Sequence, residues 1–176
     1  TAPQGAGTRS GLTMCWRGNA AGLGGFFFAA RFGMSTIAAS VTNGFVGLHS
    51  ATAVIGAGTE PSALTNMVGI GFDRADTQWQ VMSNDGSGAA PKAALGASFP
   101  INTTDLIEFV LFAPPNGSSI TYQATNLTSG ATASGTLSSD LPVNTTFLAS
   151  HVYISMNSGT TQPAIDVSRL YLETDY

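Results

Sequence analysis

The sequence carries very little charge. Asp, Glu, Lys and Arg make up 9% of its 176 residues, whereas an ordinary soluble domain has about 25%. The formal net charge is −4, and the six basic residues are scattered along the chain. Nucleic-acid binding requires a basic stripe that neutralises phosphates. The composition therefore argues against a nucleic-acid partner and leaves few side chains for ionic catalysis.

Cysteine and long apolar runs are also scarce. Cys15 is the single cysteine, so an internal disulfide is excluded, and its apolar neighbours predict a small buried side chain. The longest apolar stretch, Ala20–Ala30, is rich in glycine and much shorter than the roughly 20 residues of a membrane-spanning helix. We therefore expect no membrane insertion.

Metal and cofactor motifs are missing as well. His49 and His151 lie far apart in the sequence without a Cys or His cluster beside them, which disfavours zinc. There is no EF-hand pattern and no phosphate-binding glycine loop. A calcium site that gathers Asp73, Asp76, Asn84 and Asp85 is kept as an alternative, but the prediction is that the chain has no metal and no cofactor.

Helical periodicity is nearly absent, and strand-like runs take its place. β-Branched and aromatic segments alternate with clusters of Gly, Pro, Asn, Asp and Ser, which is typical of an all-β domain. Ten runs are predicted as strands: Leu12–Trp16, Gly25–Met34, Gly44–Ser50, Met67–Arg74, Thr77–Ser83, Asp105–Ala113, Ser119–Asn126, Ala131–Leu137, Phe147–Met156 and Ala164–Glu173. The expected fold is an antiparallel β-sandwich.

The length fits one domain with a flexible leader. Residues 1–11 are rich in Gly, Thr and Pro and are interpreted as a linker, and residues 12–176 as one β-sandwich domain. The fourth and fifth runs are separated only by Ala75 and Asp76, which predicts a tight hairpin. Residues 85–99 are expected to form a long exposed loop.

Several predicted strands are apolar on both faces. Alternation places Phe27 opposite the core-facing Phe26 and Phe28, and it places Leu106 and Val110 opposite the core side of their strand. Strands that are apolar on both sides need cover on both sides. Since no helices are available for a third layer, we expect Phe27, Leu106 and Val110 to contact other copies of the chain.

One group of residues suits carbohydrate. Sugar binding uses an exposed aromatic ring beside charged or amide groups, and Trp79 has Asp73, Arg74, Asp76 and Asn84 near it in the sequence. The alternative is that Trp79 is a core side chain and that the Asp and Arg residues form ion pairs at a turn. A glycosidase would need two carboxylates about 5–10 Å apart, such as Asp73 with Asp76 or Glu108.

The sequence resembles the C-terminal β-sandwich domain of bacteriophage tail fibre and tailspike proteins. The segments that carry the resemblance are Asn66–Asp73, Thr77–Gln80, Asn84–Gly86, Asp105–Phe109, Pro115–Gly117, Leu141-Pro142 and Arg169–Tyr176. They are structural patterns, not catalytic signatures. The resemblance implies a jelly-roll or lectin-like sandwich, a homotrimer and an extracellular place at the phage tail of the virion.

The resemblance also implies a function, and the residues leave other functions open as alternatives. A non-enzymatic domain of this kind trimerises the fibre tip and binds bacterial surface polysaccharide or lipopolysaccharide. The alternatives are a glycan hydrolase or esterase that uses a carboxylate pair, a purely structural trimer cap, and a viral or cellular structural jelly roll. The acidic chain lacks the basic arm expected of a capsid protein.

Overall fold

The chain folds into two antiparallel β-sheets that face each other. The computed structural model describes residues 3–38 and 41–174. Its strands are β1 (Gln4–Arg9), β2 (Phe26–Thr36), β3 (Thr42–His49), β4 (Met67–Phe72), β5 (Gln80–Asn84), β6 (Lys92–Ala94), β7 (Leu106–Ala113), β8 (Ile120–Asn126), β9 (Thr132–Leu137), β10 (Ala149–Met156) and β11 (Ala164–Thr174). Within the described residues, the one helical element is a 3-10 turn at Pro61–Ala63.

The two sheets differ in size. The six-stranded sheet has the order β1-β10-β3-β4-β5-β6, and the five-stranded sheet has the order β11-β2-β7-β8-β9. Large apolar side chains from both inner faces form the main core, among them Phe28, Phe32, Phe72, Phe109 and Leu48. This arrangement confirms the predicted antiparallel sandwich.

Nine of the ten predicted runs correspond to strands. The exception is Leu12–Trp16, where Cys15 makes only an isolated bridge to Leu148. The predicted hairpin of β4 and β5 is present, but its connection runs over residues 73–79 and is longer than two residues. The short strand β6 interrupts the segment that was expected to be a loop.

The prediction that residues 1–11 form a flexible linker is wrong for residues 4–9. Residues Gln4–Arg9 form β1 and pair with β10 along the edge of the six-stranded sheet. This strand is polar, exposed and glycine-containing, so it lacks the alternating apolar pattern by which strands are recognised. Only its partner β10 makes it a strand. Residues 1 and 2 lie outside the described residues.

The outer face of the six-stranded sheet is covered by the chain itself. Residues 50–66, which we call the cover loop, lie over this face and contribute Ile55 and Leu64 to a second apolar cluster with Phe45, Met67 and Tyr153. The expectation that outer faces need other subunits is therefore wrong for this sheet. An irregular loop forms the third layer in place of a helix.

Glycines allow the Phe45 ring to lie flat on this outer face. Gly47 and Gly69 are paired across β3 and β4, and a Cβ atom on either would stand 2.8 Å from Cζ of Phe45. The same Cβ atoms would clash with the carbonyl oxygens of Val68 and Val46, so a side chain at either position would disturb the sheet as well as the ring.

Candidate functional site

The aromatic residue of the predicted sugar site lies in the core. Trp79 is 2% exposed, and its ring makes edge contacts with Phe32 and Phe72 at centroid distances of 5.1 and 4.9 Å. A buried indole offers no face to a sugar. The alternative of a core side chain is correct for this residue.

Three of the other predicted sugar contacts hold the cover loop. Asp73 accepts a hydrogen bond from the Ser62 amide at 3.1 Å, and Asn84 donates to the Leu64 carbonyl at 2.8 Å. Arg74 donates to the Gly58 carbonyl at 3.0 Å and forms an ion pair with Glu60. Their polarity therefore serves the attachment of residues 50–66 to the sheet.

Asp76 completes an ion cluster with Asp73. The Lys92 ammonium lies 3.1 Å from the Asp73 carboxylate and 2.7 Å from that of Asp76. Burial alone would lower the pKa of Lys92, but its hydrogen bonds to Asp76 and Asp73 raise it above its ordinary value. Both carboxylates are thus occupied by one cation, an arrangement that stabilises a turn.

Two of the carboxylates considered for hydrolysis are brought together, and the third is not. Asp73 and Asp76 share the Lys92 cation, and the Asp76 carboxylate accepts a hydrogen bond from the Asp73 amide at 2.8 Å. Glu108 lies on the outer face of the five-stranded sheet and accepts hydrogen bonds from Arg31. Among the described residues, no group of three His, Cys, Asp or Glu side chains could hold a metal ion. Nor does any helix among them have the length and apolarity to cross a membrane.

A groove of about 490 Å³ lies at the end of the sandwich beside the ion cluster. Arg74, Asp76 and Thr77 line it together with Phe72 and Ile101. Arg74 and Asp76 already have ion-pair partners. The groove therefore gathers predicted residues but presents few free polar groups.

No segment within residues 3–38 and 41–174 covers the outer face of the five-stranded sheet. We call it the open face. Strand register places Phe27 opposite Phe112, Arg31 opposite Glu108, and Tyr171 opposite Ala29, so these side chains share one side of the sheet. Phe112 is 49% exposed and Tyr171 is 42% exposed. These are the exposed aromatic rings that the sequence argument sought at Trp79.

Charged groups accompany the aromatic rings on the open face. The Tyr171 hydroxyl donates to Glu173 at 2.8 Å, and the Arg169 guanidinium carbon lies 5.9 Å from the centre of the Tyr171 ring. Phe27 meets the same ring edge-on at 6.1 Å. Aromatic, cationic and carboxylate groups are therefore within reach of one bound molecule.

The rest of the open face is rich in hydroxyl groups. The register of β8 and β9 places further side chains on the open face. All of them carry a hydroxyl or an amide group: Thr121, Gln123, Thr125, Thr132, Ser134 and Thr136. At the other end of the face, Phe27, Phe112 and Glu173 line a groove of about 340 Å³. The face thus joins an aromatic half to a polar half.

The residues expected to contact other copies also lie here. Phe27 and Val110 are half-buried, and Leu106 is exposed; all three project from the open face. Alternation had placed these three side chains together with Phe112 on one side of the predicted strands. Phe112 and Tyr171 were not among the predicted site residues, although both are aromatic and alternation indicates their side of the sheet.

Comparison with known proteins identifies the fold. No protein-family model matches the sequence, and no curated protein matches it. Among solved structures, lectin UEA-II in complex with galactose has 13% identity and a TM-score of 0.60 over 92% of this chain and 77% of that one. A family 7 alginate lyase, A1-II′, in complex with a product has 14% identity and a TM-score of 0.56 over 99% and 74%.

A phage protein shares the same architecture. The CBM2 module of the evolved Dit of Lactobacillus casei BL23 phage J-1 is 16% identical, with a TM-score of 0.52 over 84% of this chain and 60% of that chain. At such low identity these likenesses establish the fold alone. The chain has the lectin-like jelly-roll sandwich that carbohydrate-binding proteins use.

Proposed function

We propose that this chain is a non-enzymatic carbohydrate-binding domain of a bacteriophage tail fibre or tailspike, which attaches the virion to polysaccharide or lipopolysaccharide on the host surface. The observation that carries the proposal is the open face, where exposed Tyr171 and Phe112 rings lie beside Arg169 and Glu173. The lectin, lyase and phage structures of the same fold support it by analogy.

The chemistry of the open face suits a sugar ring. The C–H side of a pyranose stacks on an exposed aromatic face, and charged or amide groups at its rim bond the hydroxyls. Tyr171 supplies the ring, and Arg169 and Glu173 supply a donor and an acceptor beside it on the same side of the sheet. Arg31 and Glu108 lie on the same face, and the side chains on β8 and β9 are uncharged, so the charged contacts are concentrated near Tyr171.

A bacterial glycan array tests the proposal directly. The chain is applied to immobilised polysaccharides and lipopolysaccharides, together with Tyr171→Ala and Phe112→Ala variants. Leu12→Ala is the matched control, since Leu12 is 72% exposed and lies outside the open face. We expect specific binding that both aromatic variants abolish and the control retains. Absence of binding to every glycan would favour a purely structural cap.

Trimerisation is the second part of the proposal. Two surfaces suit a contact between copies: the open face with Phe27, Leu106 and Val110, and the edge of the five-stranded sheet at β11. That edge strand is eleven residues long and exposes Val167 and Leu170, and long unpaired edges invite strand pairing. Light scattering on the purified chain measures its mass, and a monomer at all concentrations would contradict this part.

A further inference from the structure

We infer that the open face binds an acidic saccharide, whose negative group lies between Arg31 and Arg169 while its ring rests on Tyr171. This inference depends on the proposed carbohydrate function and adds the class of ligand. It follows from the pairing of the two arginines, from the position of Arg169 over Tyr171, and from the order of charges along β11.

The two arginines are direct cross-strand partners. Arg169 of β11 is opposite Arg31 of β2, and opposed like charges on adjacent strands are unfavourable. Glu108 bonds to Arg31 at 2.7 and 3.2 Å and so compensates one of the two cations. In the described part of the chain, Arg169 has no carboxylate partner of its own.

An anion at this position would relieve the repulsion. A guanidinium group binds carboxylate or phosphate through paired N–H donors. The Arg31 side chain is 40% exposed and Arg169 is exposed, so both reach solvent from the same side of the sheet. The row Arg169, Arg31 and Glu108 therefore has one cation in excess.

Tyr171 holds Arg169 next to an aromatic platform. The guanidinium lies 5.9 Å from the ring centre, within the range of a cation–π contact. Phe27 meets that ring edge-on, which fixes its orientation. A sugar on the free part of this platform would place a ring substituent beside the cation.

Three charged residues lie along β11 in the order Asp166, Arg169 and Glu173, and Asp166 is opposite Gly33, beyond the arginine pair. Arg169 and Glu173 flank Tyr171 by two residues each, about 7 Å along the strand, and on the same face of the sheet. The cationic end selects a carboxylate or phosphate, and the carboxylate end accepts hydrogen bonds from hydroxyls. This order fits a sugar with one acidic group better than a neutral sugar.

Binding of an acid and its neutral ester tests the inference. The probes are oligogalacturonate, the same oligomer as its methyl ester, and a phosphorylated mannan, each titrated calorimetrically into the full chain at low salt. We expect the acid to bind about tenfold more tightly than the ester, because a hydrogen bond between a guanidinium and a carboxylate is stronger than one to a neutral ester. Added salt should reduce the difference.

Variants separate the inference from the proposed function. Arg169→Gln should remove most of the difference between acid and ester, Arg169→Lys should keep part of it, and Arg9→Gln, with the same charge change on the other sheet, should keep all of it. Arg169-dependent binding of the mannan alone would support the inference and identify the anion as phosphate.

Three outcomes would overturn it. Equal binding of acid and ester, lost in Tyr171→Ala, would reject the acidic ligand and leave carbohydrate binding intact. Unchanged affinity in Arg169→Gln would reject the arginine pair. Failure of all probes and all array glycans, with a mass in solution that falls when Tyr171 or Phe112 is replaced by Ala, would assign the open face to contacts between copies and reject both the inference and the function.

Discussion

The two outer faces of the sandwich are both built from strands that are apolar on both sides, but one face is buried and the other is exposed. On the six-stranded sheet, Phe45 and Tyr153 are covered by residues 50–66 and are at most 3% exposed. On the five-stranded sheet, Phe112 near the end of β7 and Tyr171 on the edge strand β11 also project from the outer face but remain about half exposed. The difference is the cover loop, so one face contributes to stability and the other is free to bind.

The polar groups of the two outer faces also differ in whether they bond within the chain or face solvent. Under the cover loop, the Tyr153 hydroxyl donates to Ser155 at 2.7 Å and lies 2.8 Å from the Gly56 carbonyl oxygen, and Ser155 donates to Asn43 at 2.6 Å. These bonds satisfy buried groups within the chain. The charged groups of the open face leave donors and acceptors toward solvent, which is what recognition of a ligand requires.

The largest expected difference is between two phenylalanines. Phe45→Ala should lower the free energy of unfolding by about 3–5 kcal/mol, because it empties a buried site. Phe112→Ala should change it by about 1 kcal/mol or less, because the ring is half exposed. Urea unfolding of both variants measures this. Equal costs would mean that the open face is also covered in solution.

A second, smaller contrast concerns polar anchors. Asn84→Ala should cost about 1–3 kcal/mol, since it leaves the Leu64 carbonyl without its buried donor. Glu108→Gln on the open face should cost about 1 kcal/mol or less, since the ion pair with Arg31 is partly exposed. Denaturant unfolding at constant pH compares them, and a larger cost for Glu108 would reverse the assignment of the two faces.

We expect the free energy of unfolding to fall in acid because of two histidines on the covered face. His49 and His151 meet edge-on at 5.1 Å at the start of the cover loop. Burial lowers the pKa of His49 to about 4, helped by the nearby His151. Burial also lowers the pKa of His151, and the Arg9 cation adds to this effect.

The sign of the pH dependence follows from these shifts. Between the unfolded value of about 6.5 and the lower folded values, the unfolded chain binds protons that the folded chain does not. Stability contributed by the neutral histidines is therefore complete near pH 7 and is lost as the pH falls toward 4. Unfolding free energies at pH 7 and 4.5 for the wild type and His49→Asn isolate this effect. A pH slope that His49→Asn leaves unchanged would contradict it.

The smallest expected effect is on mass in solution. If the open face takes a saccharide, Val110→Asp should leave the mass measured by light scattering unchanged, because copies then meet elsewhere, for example at β11. The fold should tolerate the change at this half-buried position better than at any core site. Dissociation caused by Val110→Asp would instead support the predicted contact through Phe27, Leu106 and Val110.

Much of the fold could be predicted from alternation. β2 and β7 are nearly continuous runs of aromatic and aliphatic residues, so their presence and approximate bounds follow from the residues themselves, and the two-residue period assigns their two faces. β1 and β6 could not be found in this way, because Gln4–Arg9 and Lys92–Ala94 are exposed and carry no apolar stripe. Their strand structure comes from the neighbouring strand, which a local pattern does not contain.

The site was harder to predict because proximity in the sequence did not mean a shared function. Trp79 is a few residues from Asp73 and Asp76, yet its ring points into the core while the carboxylates hold Lys92 at the surface. Conversely, Tyr171 and Phe27 are far apart in the sequence and touch in the structure. A binding surface built across strands gathers residues by sheet order, and sheet order is not visible in a single sequence.

The sequence by itself determined an all-β chain with few charges and with strands that are apolar on both sides, since these properties depend on residue type and on a two-residue period. Only the tertiary structure decided which outer face is covered. The cover loop, with its Ala, Gly and Thr residues, has no periodic pattern of its own, and it finds its place through long-range contacts such as those of Tyr153, Asn84 and Arg74. Those contacts close one face and leave the other, with Tyr171 and Arg169, open to solvent.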